Sequence, residues 1–253
     1  MTARIAKTLV VATQPLYLLL MLVFLLPVFA VPAWAEDAKD PFPTMAPLDQ
    51  YLIADRNAEI ALARSAAPAT ISNDAQVLVL EKDGYHVAVE GKNGFTCLVE
   101  RSWMSSFGSA DFWNSKMRGP ICYNPPAVRS ILLYTLNRTK MALAGLTKAQ
   151  MAEKVKAQVA SKQLPEAAPG AMSYMMSKDG ILGGGDVGHW RPHLMFHVPK
   201  METAEWGANL NGSPVMEADV TGDDREPETI FMVAVDHWSD GTPYSSNDMA
   251  MQH

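Results

Sequence analysis

The sequence predicts an α+β domain, with an antiparallel sheet packed against a helical hairpin and an N-terminal helix. Three observations predict it. Residues 75–99 alternate and turn as a strand meander. Residues 124–162 hold two helix starts joined by a short link. After Leu164 the pattern changes to apolar strands spaced by glycine-rich loops.

The chain opens with a leader. Arg4 and Lys7 are positive, Tyr17 to Ala30 is uncharged and mostly apolar, and Ala33-Trp34-Ala35 gives the small-x-small pattern of a cleavage site. Residues 1–35 therefore read as a signal peptide. A membrane-spanning helix needs about 20 apolar residues, and Gln14, Pro15 and Pro27 interrupt this run. No later stretch is apolar enough to span a bilayer, so no membrane span is expected after cleavage. The expected location is periplasmic or secreted. Cleavage also takes Arg4 and Lys7 from a chain whose net charge is already −6. An acidic chain with no basic cluster repels phosphate, which excludes nucleic acid and anionic lipid as partners.

Residues 36–47 read as an extended leader, 48–236 as a single globular domain and 237–253 as a flexible tail. Leu48, Tyr51, Leu52, Ile60 and Leu62 fall on helical spacing up to about Ser65, and Pro68 stops the helix. The meander then runs Gln76–Leu80, Tyr85–Glu90 and Phe95–Val99. Its turns are Lys82-Asp83-Gly84 and Gly91-Lys92-Asn93-Gly94. Residues 101–123 are irregular and aromatic. Trp103, Phe107, Phe112, Trp113 and Tyr123 either plug the core or line a ligand groove.

Asn124-Pro125-Pro126 starts the first helix of the hairpin, and Gly145 closes it. Thr147 and Gln150 form a capping box for the second, which runs to about Lys162 with Met151, Val155 and Val159 on one stripe. Later strands are expected at Ala171–Ser177, His193–Val198 and Thr229–Asp236, with a short one at Val215–Val220. The three longer ones are apolar on both faces, as covered central strands are. Cys97 and Cys122 pair most simply as a disulfide in an oxidising compartment. The closed loop of about 25 residues is worth roughly 3 kcal/mol.

No motif fixes a reaction. Gly183 to Gly188 matches G-x-G-x-x-G, but His189-Trp190-Arg191-Pro192 follows it instead of a helix start, so it reads as a loop. Asp223, Asp224, Glu226 and Glu228 read as a solvated acidic loop. Asp236 and His237 are adjacent, so on a strand their side chains diverge. Asp186, His189, His193, Met195 and His197 are the densest metal-capable cluster. On a strand, His193 and His197 lie roughly 13 Å apart, too far for one ion, whereas Met195 with either histidine is about 6.6 Å away. There are 16 methionines, and thioether with imidazole suits Cu(I).

Three functions follow as expectations. The first is a binding or structural envelope protein that is not a recognisable enzyme. Its partner is an unknown small molecule or envelope protein, and its pocket is formed by the aromatic loop and the Asp186–His197 segment, with Trp103, Trp113 and Trp190 as candidate contacts. No cofactor is expected under it. The second is a soft-metal protein holding copper or zinc. The third is a hydrolase of unfamiliar type with His189 or His193 as base.

Gly91-x-x-Gly94-Phe95-Thr96-Cys97, then Cys122, Tyr174-Met175 and Pro192-His193-x-Met195, together resemble a pattern in exported bacterial proteins of no assigned activity. The resemblance covers about a third of the chain. It implies no substrate, cofactor or catalytic residue, and it suggests that His193 belongs to a shared core strand.

Overall fold

The computed structural model describes residues 41–183, 191–218 and 228–245. The signal-peptide reading of residues 1–35 lies outside them. The described residues form a mixed α+β fold, with an eight-stranded, mostly antiparallel sheet and five α-helices. None of these helices is long and apolar enough to cross a membrane.

Strand β1 (Gln76–Glu81) turns at Lys82-Asp83 into β2 (Gly84–Val89). The next strand corrects the simple meander. β3 (Thr96–Glu100) lies on the other side of β1 and runs parallel to it. Its connection passes over the start of β1. There the Gln76 N–H donates to the Phe95 carbonyl at 2.9 Å and the Lys92 N–H to the Asp74 carbonyl at 2.7 Å. Gly91 sits at the crossing, where a Cβ would fall 2.3 Å from the Gln76 nitrogen. Gly94 follows in the left-handed region, at φ +78°.

β4 (Gly119–Tyr123) pairs antiparallel with β3. It is concealed within the irregular aromatic segment because Pro120 argues against a central strand. The proline costs no ladder bond. The Asn124 N–H donates toward β5 (Met172–Met175), so Pro120 faces the same way, and that ladder reaches only Cys122 and Tyr123. Cys97 and Cys122 are direct partners across β3 and β4, with Cα atoms 4.0 Å apart, and form the disulfide.

The remaining strands are β6 (His193–Pro199), β7 (Val215–Glu217) and β8 (Glu228–Ala234). The sheet order is β2-β1-β3-β4-β5-β6-β8-β7. The first helix is shorter than its apolar spacing implies. Leu48–Gln50 is one 3-10 turn, and α1 (Arg56–Arg64) begins only at its cap, Asp55, whose carboxylate accepts from the Asn57 and Ala58 N–H groups. Tyr51 goes instead into the core, its hydroxyl donating to the Trp113 carbonyl at 2.8 Å.

After Pro68 comes the short α2 (Ala69–Ser72). Asn124 caps α3 (Pro125–Val128). A break at Ser130, with φ −127° and ψ −69°, separates it from α4 (Ile131–Leu143). Thr147 and Gln150 make the reciprocal capping box of α5 (Lys148–Ala160).

The sheet buries both faces. On one, the disulfide packs with Val77, Val99, Ala63 of α1 and Ala66 and Ala67 just after it. On the other, Leu98, Ile121 and Tyr123 lie with Ile131 and Leu132 of α4. A third cluster joins Trp103, Phe107, Phe112 and Trp113 to Tyr134, Met151 and Val155.

The segment read as a flexible tail, residues 237–253, makes backbone and ring contacts as far as Tyr244 among the described residues. Trp238 is buried, and the Ser239 N–H donates to the Met176 carbonyl at 2.9 Å. Asp236 and His237 do not diverge, because β8 ends at Ala234 and both lie in the following turn. Their side chains meet at 2.6 Å, exposed to solvent, and this hydrogen bond lowers the Asp236 pKa.

Candidate functional site

Strand alternation assembles one wall of a cavity. Glu100 of β3 and Tyr123 of β4 point to the α4 face, as do His193, Met195 and His197 of β6. Glu228 and Met232 of β8 continue the same face. The opposite wall comes from α4, where Ile131, Tyr134, Thr135 and Arg138 share one side at helical spacing. Between the walls is a cavity of about 350 Å³. That is the size of a small-molecule site.

One end of the cavity is acidic. The Tyr123 hydroxyl donates to Glu100 Oε1 at 2.5 Å. The Thr135 hydroxyl lies 2.9 Å from the Tyr123 oxygen and 3.4 Å from Oε1. Among the described residues Glu100 Oε2 has no hydrogen-bond partner, and no cation is within ion-pair distance of the carboxylate. Glu100 is partly exposed and lies on the cavity wall. Burial raises its pKa, outweighing the hydrogen bond from Tyr123 and the positive influence of His197 and Arg138.

This shift has a consequence for stability. The folded chain holds the Glu100 proton to higher pH than the unfolded chain does. Folding therefore takes up a proton in that interval, and stability falls as pH rises from the ordinary carboxylate range through the raised pKa. Glu100→Gln is expected to raise Tm at neutral pH by about a few degrees and to leave it unchanged in acid, where both forms are neutral. Melting curves between pH 4 and 8 check this; a difference independent of pH contradicts it.

His197 is held from both sides. Its Nδ1 lies 3.1 Å from Glu228 Oε2 and its Nε2 lies 3.0 Å from Ser173 Oγ. Carboxylate, imidazole and hydroxyl stand in the order of a serine-hydrolase relay. Ser173, however, is fully buried and is not on the cavity wall. The chain of bonds fixes the imidazole and ties β5, β6 and β8 together. His193 Nδ1 is 2.8 Å from the Arg191 carbonyl. A carbonyl only accepts, so Nδ1 carries the hydrogen and Nε2 the lone pair. Burial lowers the His193 pKa and keeps the ring neutral at pH 7.

The rest of the wall is soft and apolar. Met104, Met117, Met175, Met195 and Met232 all line it. Unbranched thioether chains reshape around a ligand at little cost. Arg138 donates to the Tyr134 hydroxyl at 2.9 Å and the Ser105 carbonyl at 2.6 Å, with its guanidinium 4.1 Å from the Phe107 ring centre.

Of the residues singled out from sequence, His193, Met195 and His197 meet at this cavity. Asp186, His189 and Trp190 lie outside the described residues, as do most of the Gly183–Gly188 loop and the acidic residues 223–226. Trp103 and Trp113 are buried in the third core cluster and are not on the cavity wall. Trp103 donates to Thr139 Oγ1 at 3.1 Å, and Trp113 meets Phe112 edge-on at 4.7 Å. For these two rings the core-plugging alternative is the one observed. Glu81, Asp83 and His86 cluster on an exposed turn.

Sequence reasoning missed Glu100, Thr135 and Arg138; Tyr123, one of the aromatics expected to plug the core or line a groove, is on the cavity wall. One signal was present: Thr135 and Arg138 are polar residues on the buried stripe of a helix. Comparison with protein-family models, curated proteins and solved structures gives no match for this chain.

Proposed function

We propose that this chain is an exported binding protein that takes a small organic molecule into the cavity between the sheet and α4. The observation that carries the reading is the convergence of polar side chains from β3, β4, β6, β8 and α4 on one cavity of about 350 Å³, with flexible methionines between them. The leader sequence and the buried disulfide support a periplasmic or secreted location. Binding is favoured over hydrolysis because both His197 nitrogens are bonded and Ser173 is sealed.

Native mass spectrometry of the full chain isolated from its own compartment tests this. A non-covalent small molecule is expected on the wild type and absent from Met195→Trp, which fills the cavity. An identical mass for both proteins before and after denaturation contradicts the reading.

A soft-metal reading has its own support. His193 faces Met175 across β5 and β6, and Met195 faces Met232 across β6 and β8, on one side of the sheet. Thioether and neutral imidazole suit Cu(I) better than zinc. Titration of Cu(I) against a competing chelator separates the two readings. One equivalent held by the wild type and lost in Met195→Leu favours metal, and no retention removes it.

A further inference from the structure

We infer that the ligand taken by this cavity carries a protonated amine, and that Glu100 is the group that selects it. The inference rests on the cavity-binding reading above. A buried carboxylate is costly unless a cation or several donors compensate it. Glu59 illustrates the compensated case in this protein. Its Oε1 accepts from Arg101 Nη2 at 2.9 Å and from the Leu80 N–H at 3.1 Å, both side chains being sealed.

Glu100 is different. Tyr123 and Thr135 both address Oε1, and Oε2 is left without a partner among the described residues. Oε2 is not sealed from solvent, and Glu100 is on the cavity wall.

The groups around it define what fits. The hydroxyls of Tyr123 from β4 and Thr135 from α4 hold one oxygen and orient the carboxylate. Arg138 from α4 is committed to Ser105, Tyr134 and the Phe107 ring. It lowers the Glu100 pKa but does not reach ion-pair distance. His193 is kept neutral by burial, and Glu228 is bonded to His197. Arg101 is committed to Glu59. Among the described residues the Glu100 carboxylate thus stands without a neutralising charge at ion-pair distance, on a wall shared with methionines and Ile121. The complement is a small molecule with one ammonium head and an apolar, preferably aromatic, body, since thioethers contact ring edges favourably. An ammonium N–H donating to Oε2 makes a charge-assisted bond inside a low-dielectric site.

The probes are 2-phenylethylamine and its neutral counterpart 2-phenylethanol, titrated calorimetrically into the full chain at neutral pH. The amine is expected to bind roughly ten- to a hundredfold more tightly than the alcohol, the range for a hydrogen bond to a charged group. In Glu100→Gln, which keeps an acceptor for Tyr123, the two affinities are expected to converge. Equal binding of amine and alcohol by the wild type overturns the amine inference and leaves the cavity reading standing. Binding of neither overturns both. A preference that survives in Glu100→Gln assigns the amine to another acid and overturns the role of Glu100. The wild-type comparison alone remains decisive if the variant does not fold.

Discussion

Arg101→Met is expected to destabilise the protein by about 3–5 kcal/mol, the cost of breaking a buried ion pair on one side. Arg101 and Glu59 are 0 % and 1 % exposed in their side chains and 2.9 Å apart. Arg101 also donates Nε to the Tyr51 carbonyl at 2.6 Å and a second guanidinium nitrogen to the Val99 carbonyl. It therefore joins α1, the segment before it and the end of β3. Removing the guanidinium leaves the buried Glu59 charge with only the Leu80 N–H and takes the Tyr51 carbonyl's donor away, while the Val99 carbonyl keeps the Tyr85 hydroxyl. Methionine preserves much of the volume, so the loss reads out charge and hydrogen bonding more than packing. The double variant Arg101→Met, Glu59→Leu is expected to regain part of the loss, because no charge is then left unpaired. Urea unfolding of the four proteins checks both statements. Additive effects of the two substitutions, or a single-variant cost below about 1 kcal/mol, the scale of an exposed pair, contradict this account.

Gly91→Ala is expected to cost at least about 3 kcal/mol, the upper end of ordinary overpacking. The added carbon would fall 2.3 Å from Gln76 N, 2.9 Å from Gln76 Cα and 3.0 Å from Ala75 C. All three atoms are backbone, and no side chain can rotate to make room. The loop must lift from the start of β1. The Gln76-to-Phe95 bond and the parallel β1–β3 pairing would be the first casualties. Amide hydrogen exchange should show lost protection at Gln76 and Val77 before the rest of the sheet. Wild-type stability in the alanine variant would mean that the crossing is looser than described.

How far the sequence could be read depends on the range of the interactions. Local chemistry was legible. The Asp83-Gly84 turn, the Asn124 cap and the Thr147–Gln150 capping box each involve residues within three or four positions, and each is observed. The crossing of the β2–β3 connection over the start of β1 was not legible. Gly91 looks like one more turn glycine until the strand start beneath it is known. Pro120 concealed β4 because its missing N–H matters only on a side where the ladder stops.

The cavity follows the same logic. Met195 and the histidines of β6 attracted notice as a cluster in sequence. Glu100, Tyr123 and Thr135 come from three separate segments and meet only through the sheet register. Glu100 ends the otherwise apolar strand Thr96–Glu100, where a terminal charge ordinarily reads as solvent-facing. Only the overlying α4 makes it part of a wall.

The central claim is that this cavity receives a ligand, and methionine methyl NMR tests it most directly. With 13C-methyl methionine in the full chain, 2-phenylethylamine should shift the signals of Met104, Met117, Met175, Met195 and Met232, which line the cavity. Met141 and Met151, buried in the neighbouring core, should stay in place. Unmoved cavity methyls at saturating amine, or shifts confined to residues elsewhere, would contradict the claim.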